Sequence, residues 1–140
     1  MKKIFAILAV AAGLLTAVAC DDAETQNRTF EGTSLKNTEW KASLSQEWNE
    51  NDTTLMEVIS EATLHFMTDA EGYLSYETIM KTNGRVISDE AQTLQLTYTF
   101  DGTQGEMTMN GDTDPFEIST NRKELIVARG TYRETRYIYQ

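Results

Sequence analysis

Cysteine occurs once in the chain, as Cys20, so no disulfide can form within it. The fold must be held by a packed apolar core, and the roughly 105 residues that follow position 34 suffice for one such domain. Histidine also occurs once, as His65. A metal site or a Ser-His pair would need partners that no motif supplies. Alternation in "ATLHF" turns His65 outward with Thr63 and Met67, as an ordinary exposed histidine. The one proline, Pro115, stands where a calcium loop needs glycine. "NGDTD" opens such a loop with Asn110, Asp112 and Asp114, then fails at Pro115 and again at Asn121, so it is expected to be a polar hairpin turn.

Positive charge is also scarce, with 12 Lys and Arg against 22 Asp and Glu. Without residues 1–20, which hold Lys2 and Lys3, the balance is 10 − 22 = −12. That sign argues against nucleic acid as a partner, because phosphate contacts need a basic surface. Residues 122–140 are the exception: Arg122, Lys123, Arg129, Arg133 and Arg136 against Glu124 and Glu134 give +3, leaving −15 for residues 21–121. These cations are expected to pair on the surface of the domain, with an anionic partner as the alternative. No phosphate loop, dinucleotide fingerprint or nucleophile elbow occurs, and no carboxylate pair stands in an apolar, aromatic setting. No catalytic residue, metal or cofactor is expected; an acid-dependent hydrolase is the enzymatic alternative.

The chain has one long small and apolar run, Ile4 to Ala19, preceded by Lys2 and Lys3. That is the layout of a secretory signal peptide, and the run is short for a span of about 20 residues. Ala17, Val18 and Ala19 lead directly into Cys20. This pattern resembles the lipobox of bacterial lipoproteins, with Ala17 where leucine is commonest. The resemblance implies cleavage after residue 19 and diacylglyceryl and palmitate-type acylation of Cys20, which would anchor the protein to a membrane without a transmembrane helix. Ordinary cleavage leaving a free thiol is the alternative.

Asp21, Asp22 and Glu24 follow. Acidic residues there resemble an inner-membrane retention signal in enterobacterial lipoproteins and a surface-export signal in a phylum of gut-dwelling Gram-negative anaerobes. Residues 20–34 are expected to be an acidic tether, too polar to repay the entropy of ordering. The expected location is the cell envelope, at the outer membrane or cell surface.

From residue 35 the apolar period is two. In "TLQLTYTF", Leu94, Leu96, Tyr98 and Phe100 share one face and Thr93, Gln95, Thr97 and Thr99 the other, the pattern of a strand wet on one side. "ATLHF", "PFEIS" and "KELIV" repeat it. Turn signals separate the runs, the strongest being Asn83-Gly84, which tolerates the positive φ of a type I′ hairpin. The expected strands are 38–46, 57–67, 72–81, 86–100 with a kink around Asp89 to Gln92, 105–110, 114–119, 123–128 and 132–139. A short helix over "TTLMEVISEA", capped through Thr54 and Glu57, is the local alternative. Eight strands in simple succession can close into an antiparallel up-and-down barrel without a raw edge.

"LKNTEWKASL", "ATLHF", "GYLSYE" and "LTYTFDGTQGEMTM" resemble the small lipocalin-like lipoproteins of that same phylum. There a Gly-Thr-Xaa-Trp segment opens the first strand and its tryptophan plugs one end of the barrel; Trp40 takes that place, with Asn37 where glycine is frequent. The resemblance implies a lipocalin-like barrel over residues 35–140.

The expected interior set is Trp40, Leu64, Phe66, Leu94, Leu96, Tyr98, Phe100, Met107, Phe116, Ile118, Leu125, Val127, Tyr137 and Tyr139. Such a barrel is either filled by its side chains or holds one small ligand. A cup lined by Trp40, Phe66, Tyr76, Tyr98, Phe100, Tyr137 and Tyr139 would suit a small hydrophobic ligand. With a filled core the chain would instead be a structural or protein-interaction module of the envelope. "DTT" at 52–54 resembles a short O-glycosylation motif of the same phylum, with Thr53 as acceptor.

Overall fold

Strict alternation decides which side chains turn inward. In β2 (Thr54–Phe66), the even-numbered Val58, Ser60, Ala62, Leu64 and Phe66 are buried, while Glu61 lies in water. Neighbouring strands follow the same rule, β1 (Thr38–Asn51) with Trp40, Ala42 and Leu44, and β3 (Glu71–Thr82) with Leu74 and Tyr76. The computed structural model describes residues 28–140, and β4 (Arg85–Phe100), β5 (Gln104–Met109), β6 (Asp112–Ile118), β7 (Glu124–Val127) and β8 (Thr135–Tyr139) complete the set. Each strand pairs antiparallel with the next, and β8 returns to β1 through Tyr139–Trp40 and Ile138–Lys41, closing an eight-stranded barrel. The alternative helix at 54–62 is strand throughout. The signal-peptide reading, Cys20 and the tether up to residue 27 lie outside the described residues.

Turn chemistry fixes the register. Asn83-Gly84 and Asn110-Gly111 take positive φ at both positions (49° and 78°, 51° and 79°), which suits two-residue hairpins. Pro115 sits in β6 just before the rungs to β7 begin at Phe116, so its missing N–H interrupts no bond to β7. Its carbonyl accepts from Ala128 N at 2.8 Å.

Four features differ most from the sequence reading. β1 continues to Asn51, β2 begins at Thr54, β8 begins at Thr135, and the irregularity in β4 falls at Ile87, which is left unopposed between the pairs Met80–Ser88 and Lys81–Val86. β8 is delayed because residues 128–134 close tight turns, Thr131 N to Ala128 O and Glu134 N to Thr131 O.

The tether reading is corrected from Phe30 onward. Phe30 is 2% exposed and Leu35 is buried beside it, so the chain reaches the barrel before residue 34. Phe30 meets Trp40 edge-on at 5.4 Å and Tyr139 at 5.6 Å, closing one end of the barrel. Its backbone is tied to the β6–β7 turn by Phe30 N to Arg122 O at 2.8 Å.

Candidate functional site

The seven aromatic residues expected to line a cup are brought together, but mostly as a plug. Trp40 is fully buried and lies 4.8 Å from Tyr139; Phe66 meets Tyr98 edge-on at 4.8 Å; Phe100 stacks on Phe116 at 5.8 Å. Phe30 and Phe116 join these rings, so Trp40, Phe66, Tyr98, Phe100 and Tyr139 belong to one aromatic cluster at the closed end. The Tyr98 hydroxyl donates to the Thr68 carbonyl and is thereby committed to structure. Burial, with Asp69 nearby, pushes its pKa up to about 12. Tyr76 and Tyr137 stand one layer higher. Tyr76 donates to Gln92, and burial, reinforced by Glu90, raises its pKa; burial alone raises that of Tyr137.

Above that layer the strands are unequal. β1 to β4 pair along almost their full lengths, whereas β4 meets β5 only from Leu96 to Phe100 and β1 meets β8 only at Trp40 and Lys41. Residues 45–51 of β1, 54–60 of β2, 77–82 of β3 and 85–93 of β4 therefore form a four-stranded flange beyond the closed barrel. From residue 42 in β1, and before Leu96 in β4, no strand among the described residues pairs on the outer side. Trp48 (43% exposed), Leu55, Val86 and Ile87 (53% each for the last two) lie near its tip as large, water-facing apolar groups. On its inner face Trp48 sits opposite Met56, and Val58 lies between Gln46 and Met80; Ser60 and Thr78 share a hydrogen bond at 3.1 Å. Its outer face is acidic, with Glu47 directly opposite Glu57, and at its base Glu77 faces Glu61.

Thr53 lies exposed in the turn at this tip. Its backbone N–H and its hydroxyl both donate to Asn51 Oδ1, at 3.0 and 2.9 Å.

His65 departs from the expected exposed histidine. Its side chain faces outward as read, yet is only 18% exposed, because it stacks on Tyr73 at 4.4 Å. Nδ1 lies 3.1 Å from Glu39 Oε1 and Nε2 lies 3.2 Å from Ser75 Oγ. Sequence reasoning missed this line because its members come from three strands. It has the order of a nucleophile, base and orienting acid, laid across three neighbouring strands on the outer face of the sheet. Among the described residues no group of three His, Cys, Asp or Glu is placed to hold a metal ion.

The basic C-terminal residues are largely absorbed by the fold. Arg129 pairs with Glu117, Arg133 with Asp114, and Arg136 with Glu124 and Glu134 at 3.2 Å each. A wide depression of about 690 Å³ lies beside these pairs on β4 to β7, with Thr99, Gly105, Pro115, Ile126 and the Arg129–Glu117 pair on its surface. It is shallow and mixed in polarity, unlike the enclosed apolar pockets that take small molecules.

Compared with known proteins, the chain matches no family model, no curated protein and no solved structure.

Proposed function

We infer that this protein is a lipid-anchored binding module of the cell envelope, non-catalytic, whose barrel is a filled scaffold and whose flange engages a protein partner. The observation that carries this reading is the flange itself: two unpaired strand edges combined with exposed Trp48, Val86 and Ile87. Long open edges and clustered apolar groups are costly to leave in water, and they are the features that partner strands and partner side chains cover. The anchor is acylated Cys20 at the outer membrane, inner-membrane retention being the competing address. Phe30 is docked ten Cα–Cα steps after Cys20, so the barrel stays within about 35 Å of the bilayer. Mass spectrometry of membrane-extracted protein tests the anchor: an acylated N-terminal Cys20 is expected, and an unacylated one would remove it.

The binding half is tested by placing a photoreactive residue at position 48 or 87, or on the scaffold at 99 or 104, in living cells. Discrete crosslinked species from the flange positions and none from the scaffold are expected. Equal products from all four, or none, would count against it.

A second reading keeps a small hydrophobic ligand. It is favoured by Ala42 and Ala62, whose small side chains leave the layer beneath the flange to the rings of Tyr76 and Tyr137. A thermal shift with lipids, bile-type sterols or haem that is lost in Tyr76→Phe would support it over the partner reading.

A further inference from the structure

We propose that the free edge of β1 on the flange receives an extended segment of a partner protein whose residues alternate between apolar and cationic, adding a ninth strand. This rests on the flange being the binding element and names what it binds. Edge strands are normally defended by lysine, proline or bulges. β1 has none of these from Ala42 to Asn49; its irregularity comes only between Asn49 and Asn51. The β4 edge, in contrast, carries the unopposed Ile87 and consecutive acids Asp89 and Glu90, which twist it and charge both of its faces.

The side chains along the β1 edge dictate the chemistry of what lies beside it. Trp48 is on the inner face with Met56 opposite, so residues of an added strand on that side meet apolar surface. On the outer face Glu47 stands directly opposite Glu57, an arrangement that weakens a sheet. Lys81 reaches Glu57 at 3.7 Å from the far side, while among the described residues no cation pairs with Glu47. A lysine or arginine on the added strand would complete that row.

Residues 45–60 and 77–93 hold seven acids (Glu47, Glu50, Asp52, Glu57, Glu77, Asp89, Glu90) and two bases (Lys81, Arg85), a balance of 2 − 7 = −5. A second copy meeting flange to flange, or an anionic membrane, would bring like charge to the same place, and a copy's basic residues Arg129, Arg133 and Arg136 are already paired within its own barrel, so the partner is a different, basic chain. Main-chain hydrogen bonds supply affinity in such strand addition, and alternate side chains supply specificity.

The test uses the full-length protein in detergent and a blocked nine-residue peptide of alternating valine and lysine. Binding is followed by fluorescence anisotropy and located by amide hydrogen exchange. Expected are protection confined to residues 42–49, affinity that falls with added salt, and at least about tenfold weaker binding of a valine–glutamate peptide, about 1.4 kcal/mol, since it sets like charges against the acidic row. Glu47→Lys should cost a similar factor without unfolding the chain, because it places a cation opposite Glu57. A peptide N-methylated at alternate residues should not bind. Equal binding by the N-methylated or glutamate peptide, protection on residues 85–95 instead, or no binding at all would overturn the proposal. Crosslinking from position 48 with no peptide binding would leave the flange as the binding element and remove only its strand-addition chemistry.

Discussion

Arg122 grips Phe30 in two ways at once: its Nε donates to the Phe30 carbonyl at 2.7 Å, and its guanidinium lies 5.1 Å above the phenylalanine ring. Nη2 also reaches the Gly32 carbonyl at 2.7 Å. A planar fork serves both carbonyls while stacking; an ammonium cannot. Charge-assisted bonds of this kind contribute about 1.5–3 kcal/mol and the ring contact about 0.5–1 more where partly exposed. Arg122→Ala is therefore expected to lower the urea-unfolding free energy by about 2–3 kcal/mol and Arg122→Lys to restore less than half. Full rescue by lysine would show that charge alone matters.

Phe30 is the other half of the plug. Phe30→Ala should destabilise by about 3–5 kcal/mol, the usual cost of emptying a buried aromatic site. A loss below 1 kcal/mol would return residues 28–34 to the status of a tether.

Asn37 holds φ at 62°, in the left-handed region, immediately before β1. Thr38 then receives Trp40 Nε1–H at 3.0 Å, so this corner orients the plugging tryptophan. Asn37→Gly should be neutral within about 0.5 kcal/mol, whereas Asn37→Val should cost about 1–2 kcal/mol, because a β-branched residue resists that φ. Thermal unfolding of the pair separates the two outcomes; equal midpoints would mean the corner rearranges freely.

Tyr98 predicts alkaline lability. Its folded pKa of about 12 lies above the ordinary 10, so the folded state holds the proton more tightly. The resulting stability is complete below pH 10 and is lost as pH rises from about 10 towards 12. Urea midpoints measured between pH 8 and pH 11.5 should fall above pH 10. Tyr98→Phe should start lower, lacking the bond to Thr68, and fall less steeply; an unchanged slope would contradict the assignment.

The eight strands were legible because runs such as Leu94, Leu96, Tyr98 and Phe100 alternate cleanly against threonine and glutamine. Phe30 was not, since one aromatic residue among polar neighbours carries no period, and its place depends on Arg122, 92 positions away. The last residues of β1, "EWNEN" at 47–51, read as loop because a strand open to water on both faces has no apolar alternation to display. The Glu39–His65–Ser75 line was hidden for a related reason: strand register joins residues that no local motif can. Even the cup residues were correctly assigned to the interior, yet their identities did not reveal that Phe30 would enter from outside the strands and complete the plug.

Trp48 separates folding from function. It is half-exposed and sits beyond the closed barrel, so Trp48→Ser should change stability by no more than about 0.5 kcal/mol. The same substitution should abolish crosslinking from position 46, its neighbour on the same face of β1. A large loss of stability would make the flange part of the core.

The most direct measurement is hydroxyl-radical footprinting of the protein in intact cells against the purified protein. Trp48, Val86 and Ile87 report the flange, and exposed Met67, at the opposite end of the barrel, serves as the internal control. If the flange is the binding element, these three residues are protected in cells while Met67 is oxidised equally in both samples. Equal oxidation of Trp48, Val86 and Ile87 in cells and in solution would mean that nothing covers the flange, and would contradict the account.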